Sequence, residues 1–213
     1  MDIQLLNQLK QIAKSRISNL DSSHDFDHTM RVLSNAMKIS EIEGGDLDVV
    51  IPSALFHDLV VYPKNHPEKH KSQEESAAGA EKILLQLENY NKDKIPSVVK
   101  SILECSFSKG IVPETLESKI LQDADGLEAT GAISIMRTFS SVGQMKNKFY
   151  NSIDPFCRER KPDSSKYGLD LFYDRLLVVG ERMHTETAKK IAFNRTQFLL
   201  EFLKELEQEL NGD

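Results

Sequence analysis

Apolar residues recur at spacings of three and four along most of the chain, the period of helices packed on a core. Residues 2–19 carry Ile3, Leu5, Leu6, Leu9, Ile12, Ala13 and Ile17 on such a stripe. Asp21, Ser22 and Ser23 then offer N-caps. A second helix is predicted over 24–43, with Met30, Val32, Leu33, Ala36, Met37 and Ile39 apolar and Gly44-Gly45-Asp46 to end it. A third, over 48–61, is apolar on nearly every side through Val49, Val50, Ile51, Ala54, Leu55, Phe56, Leu59 and Val60. That pattern marks a central, buried helix. Its length and Pro52 argue against a strand there. A polar loop follows to Ser72, then helices over 73–89, 97–107 and 115–139, the last broken or kinked near Gly126 or Gly131. Residues 141–168 mix glycine, proline and charge and read as an irregular insertion or lid. Two helices close the chain, over 169–182 and 185–210. Strand-length alternation is scarce, so the expected fold is all-α: a helical bundle with one core and a C-terminal helical extension packed on it.

The 213 residues suffice for a single domain over 1–213, and 39% hydrophobic with 28% charged is ordinary for a soluble protein. No apolar run approaches the length of a membrane span. The first residues lack the basic end and apolar run of a signal peptide, so the expected compartment is the cytoplasm. Cys105 and Cys157 are far apart and in no CxxC pattern, which supports neither a disulfide framework nor a structural zinc site. A formal charge of −6 argues against a partner of nucleic-acid polymer type. It leaves a nucleotide substrate open, because a metal and a few cations can outweigh a weak global field.

Against that background the word Ala54-Leu55-Phe56-His57-Asp58 is unusual, since it puts a His-Asp pair directly behind an apolar run. Burying such a pair is costly unless it is hydrogen-bonded or metal-bound. Two further candidates are His28, in His24-Asp25-Phe26-Asp27-His28, and Asp125, in Gln122-Asp123-Ala124-Asp125-Gly126. Each alone has a plainer reading: a hydrogen-bonded core histidine, or an aspartate capping a helix beside a glycine. Taken together, His28, His57, Asp58 and Asp125 form a mixed nitrogen and oxygen set that suits Mn²⁺, Fe²⁺, Zn²⁺, Co²⁺ or Ni²⁺ better than Ca²⁺. Such a set leaves room on the ion for water and a phosphate oxygen, and a metal-activated water can attack phosphorus. Neighbours on a helix diverge by roughly 100°, so His57 and Asp58 can share an ion only near a helix end.

Around this set, His24 and Arg31 share the His28 face, and Lys64 and Asn65 open the polar loop after the pair. All four are candidate substrate-binding residues; a lysine there can hold phosphate as a point charge, and the alternative is a solvated loop. Asp58 or Glu128 is the candidate for proton transfer, with a capping or surface acid as the alternative for Glu128. Arg137 reads as structural, and Arg158, Arg160 and Lys161 as an exposed basic run. GxGxxG, GxxxxGK[ST] and GxSxG are all absent, which removes the dinucleotide-fold, P-loop and α/β-hydrolase readings.

The order His28, then His57-Asp58, then Asp125 resembles the HD-domain phosphohydrolase superfamily. The surrounding words, from Lys119-Ile120-Leu121-Gln122-Asp123-Ala124-Asp125-Gly126-Leu127-Glu128 to Met183-His184-Thr185-Glu186-Thr187-Ala188, are similar to a branch of small, single-domain bacterial members. The resemblance spans nearly the whole chain. It implies an all-α fold with a metal-binding core over about 20–130 and C-terminal helices over about 169–210. It also implies phosphohydrolase activity on a small phosphorylated compound, a nucleotide first. The metal roles fall on His28, His57, Asp58 and Asp125. Some relatives of that branch are nucleoside-triphosphate pyrophosphohydrolases preferring manganese, so the implied cofactor is one divalent ion: manganese, ahead of magnesium, cobalt, nickel, iron or zinc. The chain would act as a monomer or homodimer. Two departures stand out: Cys105 where the branch usually has histidine, and Gly126 where it commonly has arginine. A buried structural thiol is the expectation for Cys105, with soft-metal ligation the alternative. Two rival functions remain at this level. A non-catalytic metal- and nucleotide-binding module would bind without turnover, and a metal-dependent oxygenase on the same scaffold would need a second metal.

Overall fold

The computed structural model of the chain describes residues 1–17, 25–62, 66–106 and 109–212, and every repeating element among them is helical, as the period of the apolar residues requires. The fold is all-α. An isolated bridge between Lys148 and Tyr167 is the one β-type pairing among the described residues. The chain divides into two compact units, Met1–Asp125 and Gly126–Asp213.

The first unit holds α1 (Ile3–Arg16), α2 (Phe26–Glu43), α3 (Leu47–Phe56), α4 (Ser72–Gln86), α5 (Ile95–Glu104) and most of α6 (Leu116–Gly126). Its centre is α3, which packs against α1, α2, α4 and α5 and buries every residue from Val49 to Phe56. Being enclosed on all sides is what its all-round apolarity demands. Each large side chain buried there contributes about 1.5–3 kcal/mol. Asp46 caps α3, accepting from the Asp48 N–H at 2.9 Å, and pairs with Lys94 at 2.6 Å. That lysine is the main reason the Asp46 carboxyl sits below the ordinary range.

Pro52 sits inside α3 and removes the donor that would satisfy the Asp48 carbonyl four residues back. The buried Tyr90 hydroxyl replaces it, donating to Asp48 O at 2.6 Å. Burial pushes the Tyr90 hydroxyl above its ordinary pKa, so it stays a donor. The helix ends at Phe56, not near Val61. Ser76 of α4 takes the Val60 N–H at 3.0 Å, and the chain turns there.

In the second unit α7 (Gly131–Met145) packs on α8 (Glu186–Asn211). The expected interruption of the long sixth segment is real: a 3-10 turn over Leu127–Ala129 separates α6 from α7, and Gly131 takes φ +63. Arg195 of α8 donates to Leu127 O at 3.1 Å, and its stem lies where a Cβ on Gly131 would come within 3.2 Å. Leu169, Phe172, Leu176, Leu199 and Leu203 form the core of this unit.

Two expectations fail here. The stretch 169–182 is not one helix but a π-turn over Phe172–Leu176 and a 3-10 turn over Val179–Arg182. Nor is Arg160 a free member of the basic run, although Arg158 and Lys161 are exposed as expected: it grips the fully buried Asp170 with both arms of its guanidinium, one at 2.7 Å. Asp170 also accepts the Asp163 N–H at 2.6 Å, and Arg160 lies over the Tyr167 ring. Arg158 pairs with Glu207.

Candidate metal centre

All four candidate ligands are carried by helix ends. Asp25 caps α2, its Oδ1 accepting the His28 N–H at 2.8 Å, which places the fully buried His28 in the first helical turn. The caps expected at 21–23 lie outside the described residues. His57 is the C-cap of α3, and Asp58 follows as the chain leaves the helix. Asp125 is the penultimate residue of α6. A helix-end site is what the divergence of adjacent helical side chains requires of His57 and Asp58.

His57 Nδ1 lies 2.8 Å from the Ala54 carbonyl oxygen. A carbonyl only accepts, so Nδ1 carries a proton, and in the neutral ring Nε2 is the nitrogen with the lone pair. Nε2 is buried and has no hydrogen-bond partner. It faces Asp58 Oδ2 at 3.5 Å. The same carboxylate oxygen is 3.6 Å from His28 Nε2, and Asp125 Oδ1 is 3.5 Å from that nitrogen. The two imidazole rings are 5.5 Å apart and inclined by 60°. Donor atoms of His28, His57 and Asp125 all lie within 4.8 Å of one another, and the group can hold a metal ion. In the neutral ring a lone pair and a carboxylate oxygen facing each other in a buried space repel unless a proton or a metal cation lies between them. Ligand atoms bonded at about 2.0–2.2 Å to one divalent ion stand roughly 3–3.5 Å apart, so the residues present fit such an ion.

Cys105 caps the end of α5 and is buried. Burial, then the Asp125 and Asp58 carboxylates, pushes its thiol well above the ordinary range. It keeps its proton and acts as a buried thiol; it does not belong to the donor group. Arg31 is half-buried on α2. Lys64, Asn65 and His24 lie outside the described residues. Beside 63–65, Tyr62 donates to Glu75 of α4 at 2.8 Å, His66 stacks on Tyr62 and Lys71 pairs with Glu68 at 2.7 Å. In the second unit Glu128 is buried and pairs with Arg137 at 3.6 Å. Two residues that the apolar pattern does not single out also reach the ligand-bearing helices. Asn35 donates to Ala124 O at 3.3 Å, and Gln122 donates to Glu104 O at 2.8 Å. A polar residue two turns from His28 on a buried face is the one signal the sequence holds for Asn35.

Residues 25–130, which span all four candidate ligands, match the HD domain family. This chain is an HD-domain protein. The YpgQ protein of Bacillus subtilis is 29% identical over 217 residues, covering 99% of this chain and 96% of its own. Its crystal structure in complex with ADP superposes with a TM-score of 0.73 at 28% identity, over 97% of this chain and 98% of that one. The structure of an HD-superfamily hydrolase from Bacillus thuringiensis gives 0.73 at 27%, over 99% and 98%. The Lin1889 protein of Listeria innocua gives 0.75 at 28%, over 100% and 99%. Likeness to HD-superfamily hydrolases therefore extends across the whole chain, beyond the matched HD domain itself. No helix among the described residues is long and apolar enough to cross a membrane.

Proposed function

We propose that the chain is a divalent-metal-dependent phosphohydrolase of the HD superfamily acting on a small phosphorylated compound, a nucleotide in the first instance. The observation that carries this reading is the His57 imidazole. Its tautomer is fixed by Ala54, and its buried, unpartnered Nε2 points at the Asp58 carboxylate. His28, His57, Asp58 and Asp125 would hold the ion, with manganese ahead of magnesium, cobalt, nickel, iron or zinc. When bound, a divalent ion there acidifies water and offsets phosphate charge. The protein's part is to present the ligands from three helix ends, that of α2 capped by Asp25, and to keep Asp58 against both imidazoles. Asp58 is the first candidate to accept a proton during attack on phosphorus, with Glu128 the second. Asp125, the most exposed of the set at 38%, is the side from which a substrate phosphate approaches. His24, Arg31, Lys64 and Asn65 are proposed to hold that phosphate and its nucleoside. That YpgQ was crystallised with ADP supports a nucleotide as substrate or product.

The test is a screen on metal-stripped protein. Each divalent ion is restored singly, against nucleoside tri-, di- and monophosphates, with Asp58→Ala as control. The expected outcome is metal-dependent release of pyrophosphate or phosphate, lost in Asp58→Ala while helix content stays near wild type. Turnover retained in Asp58→Ala would sink the site assignment. ADP binding without turnover under any ion would point instead to a binding module.

A further inference from the structure

The last carbonyls of an α-helix have no donor four residues ahead and must be satisfied from outside. In the first unit two such carbonyls receive buried side-chain amides. Gln122 of α6 donates to Glu104 O at the end of α5, at 2.8 Å, and also to Ile111 O at 3.1 Å. Asn35 of α2 donates to Ala124 O at the end of α6, at 3.3 Å. Asn35 is 8% exposed and Gln122 4%. Both bonds sit next to candidate ligands. Asn35 follows His28 by seven residues, two turns along the same helix face. Its acceptor is the residue immediately before Asp125, and Gln122 precedes Asp125 by three residues.

We infer that Asn35 and Gln122 are positioning residues for the metal centre, an inference that rests on the metal-site reading above. They tie the end of α6 to α2 on one side and to the end of α5 on the other. The Asp125 carboxylate is thereby set 3.5 Å from His28 Nε2. The chemistry calls for a carboxamide. An ionised carboxylate at 35 could not donate to a carbonyl. An aliphatic side chain would leave the carbonyl without this donor, and the helix end would shift to find another. These amide bonds go to backbone carbonyls, so their effect would reach the metal through the placement of Asp125.

The test is titration of Mn²⁺ alone into metal-stripped, full-length protein, with melting temperature measured on the same samples. Wild type, His57→Ala, Asn35→Leu and Gln122→Leu are compared with Leu9→Ala, a buried α1 substitution that removes no hydrogen bond. Wild type should bind one Mn²⁺ in a way that His57→Ala abolishes. Asn35→Leu and Gln122→Leu should each bind about ten- to a hundredfold more weakly, as loss of a ligand's supporting bond does elsewhere. Leu9→Ala should lose melting temperature and keep its affinity. If Asn35→Leu does not fold, Gln122→Leu carries the comparison. The inference is overturned if the two leucine variants bind as wild type does, or if Leu9→Ala weakens binding as much. If wild type binds no more Mn²⁺ than His57→Ala, the metal-site reading itself fails and takes this inference with it.

Discussion

His57 commits its Nδ1 proton to the Ala54 carbonyl, and that single hydrogen bond decides what the buried face of the ring can do. With Nδ1 committed to Ala54, Nε2 is the ring nitrogen left to face the carboxylates, as the proposed metal site requires. At the same scale, Asp170 shows a buried acid used for structure. Burial alone would raise its carboxyl; the Arg160 guanidinium and the Asp163 N–H outweigh that and hold it below the ordinary range. A depressed carboxyl contributes stability that is present above its unfolded value and lost as pH falls through its folded one. Asp170→Asn should therefore cost on the order of 3 kcal/mol near neutral pH. In thermal melts the gap between variant and wild type should stay flat from pH 8 to about 5 and close below about pH 4. A gap that widens in acid would contradict the pairing. The four candidate ligands were legible in the sequence because each stands out from an apolar or acidic word. Arg160 was not: a basic run says nothing of an acid ten residues further on that the fold buries beneath it. Gln122 was equally silent, and Asn35 gave only its place on the buried face of His28, since a lone amide does not reveal which carbonyl it will meet.

Among elements, α3 was the easiest to read, because a helix apolar all round can only be enclosed. Its end was not readable, because Ser76 on another helix takes the Val60 N–H and turns the chain five residues early. The segment 169–182 was misread as one helix: it holds a π-turn and a 3-10 turn, next to a buried Asp170 that periodicity does not register. Pro52 supplies a sharper test. It leaves the Asp48 carbonyl dependent on Tyr90, so Tyr90→Phe should destabilise the first unit by about 1–3 kcal/mol, the usual cost of a buried acceptor left unsatisfied. Chemical denaturation would measure this, with Tyr62→Phe, whose partner Glu75 is near the surface, as a comparison expected to cost less. Equal stability of wild type and Tyr90→Phe would mean that water or a shift of the helix satisfies the carbonyl.

For the whole molecule, the HD domain match stops at residue 130, while YpgQ and the other relatives align over 97% or more of the chain. The second unit is thus shared with these relatives although the four candidate ligands lie in the first. Net charge sets a further condition. At −6 the molecule repels a nucleotide at long range, so the proposed binding and turnover would depend on positive charge brought to the site. The measurement that bears most directly on this is nucleotide hydrolysis as a function of Mn²⁺ bound per chain, both read on the same metal-stripped samples. The account predicts no turnover without metal, a linear rise with occupancy and saturation at one ion per chain. Turnover that persists after stripping, or one bound ion with no turnover on any nucleotide, would contradict it.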